Sequence, residues 1–130
     1  MTATCVLDAS AVLRVITHDP MGTAWARQLQ EAPLVMAPEL MLTEVANALW
    51  KLQRAGSLGG LDPQLLLADA RDLVDQIEPD RHLQVEALAL ACHLDHPVYD
   101  CLYLALARRE AAALLTADQR LQRLAAQVLP

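Results

Sequence analysis

Four acidic residues of this 130-residue chain lie beside segments that the sequence predicts to be buried. Asp8 ends a short apolar run with β-branched members, and Asp118 follows another apolar run. Asp100 begins a helix that is apolar on almost every side, and Glu44 lies within an amphipathic helix. Because ligands bind outside the carboxyl ends of strands in an open parallel sheet, we expect Asp8 and Asp118 to point into one crevice.

Four carboxylates at one sheet edge would repel each other. Two charges about 5 Å apart, at an effective dielectric constant of about 20, interact by roughly 3 kcal/mol. A cation would remove this cost, and an all-oxygen ligand set without Cys or His suits Mg²⁺ or Mn²⁺. Such ions activate water and stabilise the leaving oxygen in phosphodiester cleavage. The four acids together therefore predict a metal site with hydrolytic chemistry.

Each acid taken alone has a simpler interpretation. Asp8, Asp100 and Asp118 would each stabilise the N-terminus of a helix, as a cap or through the helix dipole. Glu44 shares a polar stripe with Asn47 and Lys51, which is typical of a solvated helix face. Only the combination of the four indicates a metal site.

Hydrophobic periodicity and the positions of Pro, Gly and Asp predict the elements that carry these residues. The predicted strands are Thr4–Leu7, Pro33–Ala37, a short one around Gln76–Pro79, Ala112–Thr116 and a vestigial last strand at Gln127–Leu129. The predicted helices are Ser10–Thr17, Met21–Glu31, Glu39–Arg54, one that opens at Asp62-Pro63, Arg81–Leu94, Val98–Glu110 and Asp118–Ala126. Strands that alternate with helices favour right-handed crossovers. We therefore expect an α/β fold, a three-layer α/β/α sandwich with a mostly parallel central sheet of four to five strands.

The composition indicates one domain over residues 1–130 with an aliphatic core, because 55% of the residues are apolar and only 3% are aromatic. No apolar run is long enough to span a membrane, and no basic segment precedes the first apolar stretch, so we expect a cytoplasmic protein. The net charge of −6 argues against a broad basic face for nucleic acid. The three cysteines are odd in number and are not spaced as metal pairs, which favours buried thiols.

Four segments, in this order and spacing, resemble the motifs of PIN-domain proteins, and most of all the VapC-type toxins of bacterial toxin–antitoxin pairs. They are Val6–Ala11 (VLDASA), Thr43–Leu49 (TEVANAL), Tyr99–Ala107 (YDCLYLALA) and Leu115–Asp118 (LTAD). The resemblance spans almost the whole chain. No acid follows Asp118, so a fifth carboxylate found near that end in some relatives is missing.

The resemblance implies a Mg²⁺- or Mn²⁺-dependent endoribonuclease whose acidic site is Asp8, Glu44, Asp100 and Asp118. Ser10 and Thr116 match the hydroxyl positions that support this site, and Asn47 lies one turn beyond Glu44. By the same resemblance, the partners are an RNA substrate, a cognate antitoxin and a second copy of the chain in a homodimer.

Two alternatives stay open: a PIN-type nuclease of RNA processing outside a toxin pair, and a PIN-like binding module without catalysis. A phosphoacceptor receiver domain needs a Lys after a late strand, but Lys51 lies elsewhere. A haloacid-dehalogenase-like phosphatase needs a second Asp at the position of Ser10. Among the other conspicuous residues, Trp50 is expected to pack in the core or in a dimer interface. Tyr99 and Tyr103 are expected to pack, and His96 is not expected to bind a metal.

Overall fold

A parallel four-stranded sheet lies at the centre of the computed structural model, which describes residues 3–130. Met1 and Thr2, the first residues of the predicted domain 1–130, lie outside the described residues. The strands are β1 (Cys5–Leu7), β2 (Val35–Pro38), β3 (Gln76–Glu78) and β4 (Ala113–Leu115). The helices are α1 (Ala9–Ile16), α2 (Pro20–Glu31), α3 (Leu40–Arg54), α4 (Pro63–Leu73), α5 (Gln84–Leu94), α6 (Val98–Arg109) and α7 (Gln119–Val128). The predicted parallel α/β class is confirmed.

The strand order β3-β2-β1-β4 places β1 between two parallel neighbours. In the β1–β4 pair, Leu7 lies opposite Leu115, and the backbone N–H of Asp8 donates to the carbonyl of Leu115 at 3.3 Å. The residues that follow the two strands, Asp8 and Thr116, therefore come together at one edge of the sheet.

Helix α6 is the most deeply buried helix segment of the fold. Every residue from Cys101 to Ala107 is buried, and the helix packs against three of the strands as well as α5 and α7. The sequence pattern correctly predicted this burial, which anchors the first turn of the helix and with it Asp100. Among residues 3–130, no helix is long and apolar enough to cross a bilayer.

Two predicted elements differ from the structure. The expected strand Gln127–Leu129 is wrong, because α7 continues to Val128 and packs one face, which includes Leu121 and Leu124, against the core. The expected helix Arg81–Leu94 is divided: a 3₁₀ turn at Asp80–His82 precedes α5. The sheet within residues 3–130 thus has four strands, the lower of the predicted numbers.

Several single-residue expectations also fail. Cys92 is exposed, whereas Cys5 and Cys101 are buried as predicted. Tyr99 was expected to pack but is 66% exposed. Trp50 is 53% exposed, so it does not pack in the core of this chain, and its packing in a dimer interface stays a prediction. Their helices bury other faces, so neither ring enters the core of this chain.

Gly22 allows α1 and α2 to approach closely. A Cβ at this position would lie 2.3 Å from the carbonyl oxygen of Arg14 and 2.9 Å from the backbone nitrogen of Val15. Backbone atoms cannot move away as a flexible side chain can, so the absence of a side chain at Gly22 determines the spacing of the two helices.

We expect Gly22→Ala to lower the free energy of unfolding by about 1–3 kcal/mol, because overpacking outweighs the gain of about 1 kcal/mol in helix propensity. Urea denaturation of the variant measures this change. The matched control is Thr23→Ala on the exposed face of the same helix, which should leave stability within about 0.5 kcal/mol. If Gly22→Ala and Thr23→Ala are equally stable, the close approach of α1 and α2 at Gly22 is contradicted.

Candidate active site

Asp8 is a buried carboxylate held by two hydroxyl groups. Its Oδ1 accepts hydrogen bonds from Ser10 Oγ at 2.7 Å and from the Ala11 N–H at 2.9 Å, and its Oδ2 accepts from Thr116 Oγ1 at 2.5 Å. The residue is 6% exposed. It is the N-cap of α1, so the simpler capping interpretation is correct, and the predicted hydroxyl partners are present as well.

The same hydroxyls hold the chain that leaves β4. Ser10 Oγ accepts from the Ala117 N–H at 2.9 Å, and Thr116 Oγ1 accepts from the Asp118 N–H at 3.0 Å. Each hydroxyl has one hydrogen, and each donates it to Asp8. The 3.2 Å separation of the two hydroxyl oxygens is therefore a close contact and not a further hydrogen bond. This network joins the ends of β1 and β4 to the helices that follow them.

Glu44 is tied to the core by Tyr103, whose hydroxyl donates to Glu44 Oε1 at 2.5 Å. The Tyr103 side chain is 1% exposed, so it packs as predicted. Burial and the adjacent Glu44 raise the pKa of the Tyr103 phenol, which keeps it a hydrogen-bond donor. Glu44 is half-buried and not the freely solvated residue that its helical stripe suggested.

Asp100 lies in the first turn of α6, where the helix dipole favours a negative charge. Its Oδ2 lies 2.6 Å from His96 Nε2, and the His96 imidazole is buried. Asp100 therefore has a buried partner that restricts its orientation. The sequence analysis missed this role of His96; the signal was a His and an Asp four residues apart across the start of a helix.

The three carboxylates interact electrostatically. Burial raises the pKa of Asp8, hydrogen bonds from Thr116 and Ser10 oppose the rise, and the charge of Asp100 adds to it. Burial also raises the pKa of Glu44, the Tyr103 hydrogen bond opposes it, and Asp100 and Asp8 add to it. Asp8, Glu44 and Asp100 are thus close enough for their charges to act on one another, and their role as one shared site stays a prediction.

None of these three acids pairs with an Arg or a Lys within residues 3–130, although the imidazole of His96 lies beside Asp100. The site therefore concentrates negative charge without an Arg or Lys counter-ion, which is costly in a partly buried location.

Asp118 is placed differently from the other three acids. Asp118 is exposed. Its Oδ1 accepts hydrogen bonds from the N–H groups of Arg120 and Leu121 at 2.8 and 3.2 Å, and these bonds cap α7. Only its backbone, through Thr116, belongs to the network around Asp8. Its expected orientation into the crevice stays a prediction.

The donor chemistry fits a hard divalent cation, because the groups that meet here are carboxylate and hydroxyl oxygens. Among the side chains of residues 3–130, no three acidic, thiol or imidazole groups converge closely enough for a closed metal site. An open site, in which an ion keeps several waters and touches few protein ligands, is the arrangement that Mg²⁺ adopts with carboxylates. The residues present fit that arrangement.

Asp80 is a further acid that the sequence analysis missed. Its charge raises the pKa of Glu44. Its Oδ1 accepts from the Leu40 N–H at 3.2 Å, and its own N–H donates to Glu39 Oε1 at 3.0 Å. These bonds fix the start of α3 against the turn after β3, a pairing across 40 residues that no local pattern indicates.

An open cleft of about 620 Å³ extends from the acids along α3. Ser10 and Glu44 belong both to the site and to the wall of this cleft, and Asn47 lies one helical turn further along the same wall. The structure thus places Asn47 beside Glu44, as the helical spacing predicted. Tyr99 lines the cleft from the start of α6.

Comparisons with known proteins agree with this geometry. A sequence model of the PIN domain family, described as "PIN domain", matches residues 5–127. The chain is 30% identical over 118 residues to Ribonuclease VapC3 of Pyrobaculum aerophilum, covering 89% of this chain and 90% of the relative.

Two solved structures share the fold. The crystal structure of PAE2754 from Pyrobaculum aerophilum aligns with a TM-score of 0.71 and 21% identity, covering 95% of this chain and 86% of that one. The structure of VapBC2 from Rickettsia felis, bound to a DNA fragment from its promoter, aligns with a TM-score of 0.59 and 12% identity, covering 93% and 92% of the two chains.

The variant Asp100→Asn should lower the pKa of both Asp8 and Glu44, because the charge of Asp100 raises both. Carboxyl ¹³C NMR titration of the protein without added metal measures these values. Unchanged pKa values would mean that the three acids do not share one site. The matched control is Asp62→Asn, which alters an N-cap carboxylate outside this cluster.

The stability of the same variant should fall less than that of the wild type as the pH rises from about 4 to neutral. A folded-state carboxyl pKa above its unfolded value contributes stability at low pH that is lost as the pH rises through the folded value. Asp8 and Glu44 both follow this direction, so stability falls above their ordinary pKa values of about 4. Asp100→Asn reduces that loss, which urea denaturation at a series of pH values detects.

Tyr103→Phe should raise the pKa of Glu44 further, because the Tyr103 hydrogen bond opposes the rise. The free energy of unfolding at neutral pH should fall by about 1–3 kcal/mol, since the variant removes a hydrogen bond to a charged group. NMR titration and urea denaturation measure the two effects. Tyr99→Phe removes an exposed hydroxyl and should cause neither change.

Proposed function

Because the chain belongs to the PIN domain family, we propose that it is a divalent-metal-dependent endoribonuclease that hydrolyses RNA phosphodiester bonds. The observation that carries the proposal is that Asp8, Glu44 and Asp100 lie close enough for their charges to act on one another, with no Arg or Lys partner within residues 3–130. Its relative VapC3 is named a ribonuclease and is similar over 89% of this chain.

In this proposal the ion is Mg²⁺ or Mn²⁺, and Asp8 and Asp100 are its main ligands. Glu44 and Asp118 complete its surroundings directly or through water. When bound, such an ion supplies an activated water and neutralises charge on the phosphate oxygens. The catalytic group is thus Asp8, Glu44, Asp100 and Asp118.

The remaining site residues position these carboxylates. Ser10 and Thr116 hold both oxygens of Asp8 in one orientation. Oδ1 already accepts from Ser10 and from the Ala11 N–H, so the free lone pair is on Oδ2, which accepts from Thr116 alone. His96 restricts Asp100, and Tyr103 restricts Glu44. Pre-organised ligands lose little conformational freedom when a cation and a phosphate bind. Asn47, beside Glu44, is placed to orient substrate or water.

We further propose that residues 1–130 form a single domain and that the protein works in the cytoplasm as the toxin of a type II toxin–antitoxin pair. Its partners would be a cognate antitoxin and a second copy of the chain. The similarity to VapC3 and to the VapBC2 fold supports this assignment. A role in RNA processing outside such a pair is the second candidate, and a small adjacent gene whose product ends in an Arg-bearing tail would decide for the toxin.

Cleavage of a pooled RNA substrate by the purified protein tests the activity. We expect cleavage with Mg²⁺ or Mn²⁺ and none with EDTA. Asp8→Asn should lower the rate about 100-fold or more, the range seen when a group that stabilises transition-state charge is lost. Asn still caps a helix, so the variant should fold.

The matched control is again Asp62→Asn, because Asp62 is the N-cap of α4 as Asp8 is of α1, and it should cleave normally. Mn²⁺ should raise the melting temperature of the wild type and of Asp62→Asn but not of Asp8→Asn. Full activity of Asp8→Asn would refute the site. If Mn²⁺ changes neither the melting temperature nor the RNA cleavage of either variant, a binding module without catalysis is favoured.

A further inference from the structure

We propose that the cleft along α3 binds an unpaired RNA segment beside the cleavage site, where Tyr99 stacks on a base and Lys51 contacts a phosphate. This inference rests on the proposed ribonuclease function. It adds two residues of this chain, Tyr99 and Lys51, that position the RNA beside the cut.

The cleft reaches the proposed site at Glu44. Glu44 and Ser10 line it, and Thr43, Asn47 and Lys51 line it along α3. These α3 residues recur every three or four positions, so they lie along one face of the helix. A strand whose phosphate lies at the acids would therefore run directly into this cleft.

Lys51 is the only Lys in the chain. It lies seven residues beyond Glu44, which is about 10 Å along a helix at 1.5 Å per residue. Lys51 is exposed, and it takes part in none of the ion pairs seen between side chains of residues 3–130. At that distance its ammonium group would contact a phosphate that neighbours the one at the acids.

Tyr99 is one of four aromatic residues in the chain, and 66% of it is exposed. It directly precedes Asp100 and lines the cleft. Tyr103, one turn further along α6, is buried and bonded to Glu44, so packing accounts for Tyr103 but not for Tyr99. An exposed ring next to an acidic site is a platform on which any base can stack.

The size of the cleft favours a single strand. Its volume of about 620 Å³ lies in the range of pockets that hold one small ligand. Such a space accepts a short run of splayed nucleotides, whereas the bases of an A-form duplex are stacked inside it and cannot reach an aromatic side chain.

RNA binding tests the inference. The protein carries Asp8→Asn to prevent cleavage, and the probe is a fluorescent single-stranded RNA that the wild type cleaves. Tyr99→Ala should weaken binding about tenfold or more, whereas Tyr99→Phe keeps the ring and should bind normally. Leu65→Ala is the matched control, because Leu65 is equally exposed, at 66%, and does not line the cleft.

The salt dependence of binding isolates Lys51. Lys51→Ala should reduce the slope of log affinity against log salt by about 0.7, the value for one phosphate contact on a single strand. Lys51→Arg should keep the slope, and Tyr99→Ala should leave it unchanged. Arg71→Ala removes an exposed charge from α4, outside the cleft, and should have no effect on the slope.

In the cleavage-competent protein, both alanine variants should raise KM more than they lower kcat. A wild type that does not cleave RNA with Mg²⁺ or Mn²⁺ defeats the proposed function itself. A wild type that cleaves and binds RNA while the Tyr99 and Lys51 variants bind equally well overturns this inference alone. If the Tyr99 and Lys51 variants bind RNA normally but no longer bind a protein inhibitor, the cleft binds a peptide and not RNA. That result would also overturn this inference.

Discussion

The structure depends on keeping the carboxylate of Asp8 buried beside two other acids. Burial penalises its charge, and the charge of Asp100 adds to that penalty. Three donors, the hydroxyls of Ser10 and Thr116 and the N–H of Ala11, offset part of it. Because Thr116 comes from the end of β4 and Ser10 from the start of α1, these bonds form only when β1 and β4 pair in the observed register.

The rest of the fold positions partners for the other acids in the same way. Helix α6 is buried because Cys101–Ala107 are apolar, and its burial carries Asp100 at one end and the Tyr103 hydroxyl further along. Tyr103 then fixes Glu44 of α3. Asp8 and Glu44 each accept a hydrogen bond from a hydroxyl that is distant in the sequence, and Asp100 lies beside His96. None of the three acids has an Arg or Lys partner within residues 3–130.

The close placement of these acids lowers the stability of the isolated protein. Like charges held together in a partly buried place are unfavourable in the isolated protein, and pre-organised sites commonly carry such a cost. The hydroxyl donors orient Asp8 and Glu44 without neutralising them, whereas an arginine would have neutralised their charge. The adjoining cleft is lined by polar and aliphatic side chains, with its single ammonium group about two turns from Glu44. The negative charge is therefore concentrated at one end of the cleft.

The sequence by itself determined the order and type of nearly every element, because periodicity and the caps at Asp8 and Asp62 act between near neighbours. It also singled out the acids through motifs. Only the tertiary structure decided which groups meet: Tyr103 reaches Glu44 across 59 residues, and Thr116 reaches Asp8 across 108. Strand order and helix rotation set such contacts, and both minimise exposed apolar area over the whole chain. The same global balance turned Tyr99 outward and extended α7 through the residues predicted as a last strand.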